Sequence, residues 1–203
     1  MGALLMFPSQ YRDYTDEFTE WRQQTFRTLP DGMRSVICYH EDDWNDKWQE
    51  NIVASPGIFN KADRVHPNIW LGSASCAEDN KFLDRENIAV ILNMAVECKY
   101  LRSVPTARVV RIGIEDGKLT NVGVFEKAAE EIHRAVTSGS QILVHCAAGV
   151  SRSATAVAAY MMLYEDLGWA QALVEIRKSR PCINPHPLLL RALIRDFGSR
   201  FLP

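Results

Sequence analysis

Gln141-Ile142-Leu143-Val144 is a short apolar run that leads into His145-Cys146-Ala147-Ala148-Gly149-Val150-Ser151-Arg152-Ser153, and then into an apolar, alanine-rich stretch from Ala154 to Tyr164. This succession constrains the fold more than any other part of the chain. The first run suits a buried parallel strand, and the last suits a buried helix. The nine residues between them then form a loop from strand end to helix start. Successive backbone N–H groups in such a loop can converge on one anion, and the helix N-terminus adds positive potential.

Each loop residue has a chemical reason to be there. Cys146 is the candidate nucleophile, since N–H dipoles and the nearby Arg152 favour a thiolate, the reactive form. Ala147, Ala148 and Gly149 are small enough for backbone to approach a phosphate, and Val150 and Ser151 complete the cradle. Arg152 offers a planar fork that matches two phosphate oxygens. Ser153 can donate its hydroxyl to the sulfur and ease its departure from a phosphocysteine.

The loop matches the pattern His-Cys-x5-Arg-Ser/Thr of the cysteine-dependent phosphatases. In its closer form, His-Cys-x-Ala-Gly-Val-Ser-Arg-Ser, it resembles the dual-specificity protein phosphatases, the small atypical ones in particular. The resemblance implies a general acid, an Asp about thirty residues before the cysteine. Val109-Val110-Arg111-Ile112-Gly113-Ile114 reads as a strand ending in Glu115-Asp116-Gly117, and Asp116 stands 30 residues before Cys146. Asn121-Val122 and Phe125 fall where the family tends to carry an Asn-Leu pair and a Phe, a register by which the resemblance implies Asp116 rather than Glu115, and Gly117 adds the backbone freedom of a closing loop. His145 is implied to orient the loop through hydrogen bonds rather than to act as a base.

Two further stretches agree with the family: Ile69-Trp70-Leu71-Gly72-Ser73-Ala74 with Ile88-Ala89-Val90-Ile91-Leu92-Asn93, and Gly168 to Leu173 with Arg177 to Pro185. The family's usual Asn-x-Gly-Phe-x-x-Gln-Leu ending is absent. His186-Pro187-Leu188-Leu189-Leu190-Arg191-Ala192-Leu193 stands there instead, a departure expected to concern helix packing more than chemistry. In all, the resemblance covers residues 64–203.

The expected fold is α/β: a mixed central sheet of about five strands flanked by helices, like that of the protein tyrosine phosphatases, with an N-terminal extension. Strands are expected near 68–71, 88–93, 107–113 and 141–145, and helices near 76–86, 123–137, 152–166, 168–179 and 187–200. The chain of 203 residues divides into an extension, 1–60, and a catalytic domain, 61–203, with Ser55-Pro56-Gly57 at the boundary. Within the extension, Tyr14, Phe18, Trp21 and Thr25 follow helical spacing, and Ser35 to Tyr39 reads as a strand or an apolar turn. Trp44 and Trp48 could share a helix face within an acidic stretch. Packing onto the catalytic domain is the plainer role for this region, and docking or inhibition near the active site the sharper one.

The net charge of −2 gives no global basic field for nucleic acid or a membrane surface. Residues 1–55 carry five basic and ten acidic side chains, and the remainder eighteen and fifteen, so the catalytic body is mildly basic. No run reaches the length of a membrane span, so no stable membrane insertion is expected. The five cysteines, Cys38, Cys76, Cys98, Cys146 and Cys182, are scattered and lack metal-like pairing. They suit a reducing compartment, the cytoplasm or the nucleus. Cys76, Cys98 or Cys182 could in principle trap an oxidised Cys146, although each reads more simply as a small core residue. His40, His66, His133 and His186 show no ligand spacing, so neither a metal nor another cofactor is expected.

The resemblance implies hydrolysis of phosphotyrosine and phosphoserine/phosphothreonine in protein substrates. The loop interior carries no Lys, which argues against polyphosphorylated inositides. A phosphatase of carbohydrate, RNA ends or lipid is the alternative, and a phosphopeptide-binding module without catalysis is a weaker one.

Overall fold

The structure, a computed structural model, describes residues 60–98, 107–118 and 120–197. The readings for the extension, the boundary at 55–57 and the final turn at 198–200 lie outside the described residues.

Eleven elements run in the order β1 (Asp63–His66), β2 (Ile69–Gly72), α1 (Ala74–Glu78), α2 (Asn80–Arg85), β3 (Ile88–Ala95), β4 (Arg108–Ile114), α3 (Val124–Thr137), β5 (Gln141–His145), α4 (Arg152–Tyr164), α5 (Trp169–Ser179) and α6 (Pro187–Phe197). They build one five-stranded mixed sheet of order β1-β2-β5-β3-β4. β2, β5, β3 and β4 are parallel, and β1 closes one edge antiparallel to β2.

β5 lies at the centre, and Ile142, Leu143 and Val144 are wholly buried. Leu143 joins Phe82, Leu83 and Ile91 in a core cluster beneath α1 and α2. Alternation along the strand turns Ile142 and Val144 to the opposite face. Burial on both faces is why this strand reads as an unbroken apolar run. On that second face α4 is buried from Arg152 through Met162, as a helix without a polar stripe must be. α3 is amphipathic, burying Phe125, Ala128, Ala129, Ile132 and Ala135.

The register places Gly72, His145 and Asn93 side by side at the carboxyl ends of β2, β5 and β3. The chain leaves β5 there, between two strands that precede it in sequence. Ligands of open α/β sheets bind at such a switch point.

Two local expectations change. The helix expected over 76–86 is two short helices, because Asp79 has non-helical backbone and its side chain accepts the Phe82 N–H at 3.1 Å. A new N-cap interrupts the helical pattern. β1 was not expected at all. It is four residues long, half-exposed and largely polar, so it carries no apolar alternation, and it exists by pairing with β2 at the sheet edge.

Candidate active site

The loop after β5 is shaped by what holds its carbonyls. The Cys146 carbonyl meets His145 Nδ1 at 3.1 Å, and that of Ala147 accepts the Ala74 N–H at 3.1 Å. Arg180 takes the next two, donating from Nη2 to Ala148 O at 3.4 Å and from Nε to Gly149 O at 2.8 Å. Val150 O accepts the Asn184 N–H at 2.9 Å, and Ser151 O accepts the Thr155 N–H at 3.0 Å. In a trans peptide the C=O and the following N–H point opposite ways. Six carbonyls tied to the surrounding scaffold therefore turn the N–H groups between them toward the loop interior, the arrangement that binds an anion.

The sulfur of Cys146 sits in that interior. It accepts the Gly149 N–H at 3.3 Å and the Ser153 hydroxyl at 3.3 Å. Gly149 has φ +69°, and a Cβ there would lie 2.4 Å from Gly72 O and 2.8 Å from Arg180 Nη2. Only glycine fits a position that is both left-handed and pressed against backbone.

Arg152, the first residue of α4, is almost completely buried. Its Nη1 and Nη2 bind the two oxygens of Glu97 at 2.7 and 2.5 Å, and Nη1 also reaches Ile114 O at 3.1 Å. A guanidinium has five N–H donors, and these bonds use three. Nε, which makes no hydrogen bond, and the second N–H of Nη2 form the edge that remains for two phosphate oxygens. Burial alone would favour loss of the Arg152 proton, but Glu97, Cys146 and Asp116 outweigh it and hold the guanidinium firmly charged. Half-burial would likewise raise the Glu97 carboxyl, yet hydrogen bonds from Arg152 and from its own backbone N–H hold it below the usual carboxylate range.

Asp116 follows β4 and lies beside this edge. Its Oδ1 accepts the Ser151 hydroxyl at 2.9 Å and the Gly117 N–H at 3.1 Å, and Oδ2 is 3.5 Å from Arg152 Nε. The neighbouring Glu115 instead pairs with Lys118 at the surface. The structure thus brings Asp116, and not Glu115, to the loop. Burial pushes the His145 imidazole down to about 4, although its contact with the Cys146 carbonyl opposes this, so it is neutral at physiological pH. Burial, with Glu97 next to it, pushes the Cys98 thiol up to about 11. It also raises Cys182, so neither is a ready nucleophile.

Sequence reasoning missed Glu97, Arg180 and Asp63. Glu97 is delivered by a turn that buried Asn93 shapes, bonding Cys98 O and the Ala95 N–H, both at 2.8 Å. Arg180 is wholly buried and continues from the loop carbonyls to Lys61 O at 2.8 Å and Asp63 Oδ2 at 2.7 Å. Its place just before Pro181 in a stretch already singled out was the available signal for Arg180, but nothing local points to its partner 117 residues earlier.

The chain is similar to known proteins in sequence and in fold. Residues 69–197 match the family described as "Dual specificity phosphatase, catalytic domain". Human dual specificity protein phosphatase 26 is 38% identical over 145 residues, covering 68% of each chain. The crystal structure of DUSP15 superposes with a TM-score of 0.62 at 31% identity, over 67% of this chain and 86% of that one. Human DUSP28 gives a TM-score of 0.63 at 25% identity, over 70% of this chain and 95% of that one.

Proposed function

The chain belongs to the dual-specificity phosphatase family and is a cysteine-dependent phosphatase, and we propose that it dephosphorylates tyrosine and serine/threonine in proteins through a phosphocysteine on Cys146. The observation that carries this reading is the Cys146 sulfur, held by the Gly149 N–H and the Ser153 hydroxyl inside a loop whose carbonyls all face away.

In the first step the Cys146 thiolate attacks phosphorus in line. An S–P bond forms as the P–O bond to the substrate breaks, and protonated Asp116 gives its proton to the departing oxygen. The free edge of Arg152 and the loop N–H groups, from Ala147 through Arg152, hold the equatorial oxygens where charge builds up. In the second step water attacks phosphorus, Asp116 takes its proton, and the S–P bond breaks. The Ser153 hydroxyl is placed to stabilise the returning thiolate. Neutral His145 fixes the first carbonyl of the loop and takes no part in proton transfer.

Asp116 accepts two hydrogen bonds and lies beside the Arg152 edge that the phosphate oxygens would take. The protein-phosphate reading is supported by the family's name and by a loop interior, Ala147 to Ser151, without a basic side chain. A thiolate nucleophile also suits a reducing compartment, the cytoplasm or the nucleus.

The test is phosphate release from phosphotyrosine and phosphothreonine peptides and from phosphoinositides, with Cys146→Ser as the blank. We expect release from the peptides and a fall on the order of 10³-fold or more in the variant. Release from lipid alone would overturn the protein reading, and equal release by Cys146→Ser would overturn the mechanism.

A further inference from the structure

We propose that Ser151 is a positioning residue for the general acid: its hydroxyl holds Oδ1 of Asp116, and this assigns the catalytic proton to Oδ2, the oxygen beside Arg152. The proposal rests on the reading of Asp116 as the acid and goes beyond it, by giving one side chain of the phosphate loop a second task.

Ser151 stands at the N-cap of α4, where a serine hydroxyl ordinarily accepts an N–H of the first helical turn. It makes no such bond here. Ser151 is buried, and its hydroxyl turns to the acid instead, with Oγ 2.9 Å from Asp116 Oδ1. A second contact decides which way the proton points. The His186 backbone N–H donates to the same Oγ at 3.0 Å. An N–H can only donate, so the single hydroxyl proton of Ser151 is left for Asp116. The helix holds Ser151 by its carbonyl, which accepts the Thr155 N–H and the Thr155 hydroxyl, both at 3.0 Å.

Oδ1 of Asp116 also accepts the Gly117 N–H at 3.1 Å. Two donors therefore take both lone pairs of that oxygen. A proton placed on Oδ1 would displace one of them, whereas a proton on Oδ2 leaves both bonds in place. Oδ2 lies 3.5 Å from Arg152 Nε, along the edge that the phosphate oxygens would take, so the proton stands on the side of the departing oxygen. The same two donors fix the plane of the carboxyl group. Proton transfer loses rate steeply when the reacting groups are misplaced, so a hydroxyl that sets this plane contributes to rate without touching substrate.

Ser151→Ala removes the hydroxyl and keeps the loop backbone. The readout is kcat/KM, which reports the first step, on phenyl phosphate and p-nitrophenyl phosphate, for the wild type, Ser151→Ala, Asp116→Asn and the double variant. Phenolate is the more basic leaving group and needs the acid more. The ratio of the two rates in one preparation is independent of its folded fraction, so a loss of stability cannot imitate the effect. We expect Ser151→Ala to lose about 10-fold on phenyl phosphate and about 2-fold or less on p-nitrophenyl phosphate. In the Asp116→Asn background the same substitution should change phenyl phosphate hydrolysis by about 2-fold or less, because a residue that acts through the acid has nothing to act on once the acid is gone. Equal losses on both substrates, wild-type rates in Ser151→Ala, or an undiminished loss in the Asp116→Asn background would overturn the proposal while leaving the phosphatase reading intact. An Asp116→Asn protein with the wild-type ratio of rates would overturn the acid reading and the proposal together. Turnover of neither substrate by the wild-type protein would overturn the phosphatase reading as well.

Discussion

Between Cys146 and Ser151 every backbone carbonyl is tied to another part of the scaffold: Ala74, Arg180, Asn184, Thr155 and the ring of His145. Around Asp116 the contacts are of another kind: a hydroxyl, one neighbouring N–H and a guanidinium edge. The first region is held through its backbone by elements distributed across the sheet. The second is held through side chains that can turn away. The contrast suits the two tasks proposed for them, holding phosphate and carrying a proton. A cradle for phosphate works best when its dipoles need no reorganisation. An acid that must gain a proton, give it up and take another works best when its partners can change with its charge.

The contrast can be broken at its strongest point first. Arg180 is buried, paired with Asp63 and bonded to two loop carbonyls. Arg180→Met leaves those carbonyls and Asp63 without their partner, and should cost about 3–5 kcal/mol in chemical denaturation. Activity should fall along with stability, because the loop N–H groups lose their orientation. Full activity in folded Arg180→Met protein would mean that the carbonyl contacts do not shape the cradle.

Asp116→Asn probes the other region with less disturbance. The Asn oxygen can still accept from Ser151 and Gly117, so the melting temperature should hardly move. Hydrolysis of phenyl phosphate should drop by about 10²-fold, the range for loss of a general acid, with a smaller loss for p-nitrophenyl phosphate. A fall in stability comparable to that of Arg180→Met would erase the distinction between the two loops.

The smallest effect is in pH. His145 has a folded value lowered from 6.5 to about 4. The unfolded chain therefore binds the extra proton more readily, and stability is fully present above about pH 6.5 and lost as pH falls toward 4. The loss should be on the order of 2 kcal/mol, read from denaturant titrations between pH 7 and 4.5. His145→Asn should flatten this slope, and an unchanged slope would place the acid sensitivity elsewhere.

The centre of the molecule was legible from local pattern. An apolar run, a loop rich in small residues and an alanine-rich helix follow one another in sequence because they are adjacent in space, and their chemistry is carried by consecutive residues. Asp116 was picked out through the family resemblance, which places an Asp about thirty residues before the cysteine, and that separation is a linear quantity. Edge strand β1 was not, since four polar residues have no preference for a strand until β2 supplies the ladder. The break at Asp79 was missed because a short capping side chain is weak against a helical pattern on either side.

The sequence by itself determined the α/β class and singled out the candidate nucleophile and cradle, all of which depend on residue type and short-range order. The tertiary structure decided which remote side chains complete the site. Glu97 aligns the Arg152 fork from 55 residues away, Arg180 ties the cradle to Asp63 on the edge strand, and the His186 backbone N–H donates to Ser151 beside Asp116. These are pairings between polar groups on separate elements. Each group alone would be an ordinary surface residue, and its role appears only when folding removes water and leaves one partner within reach.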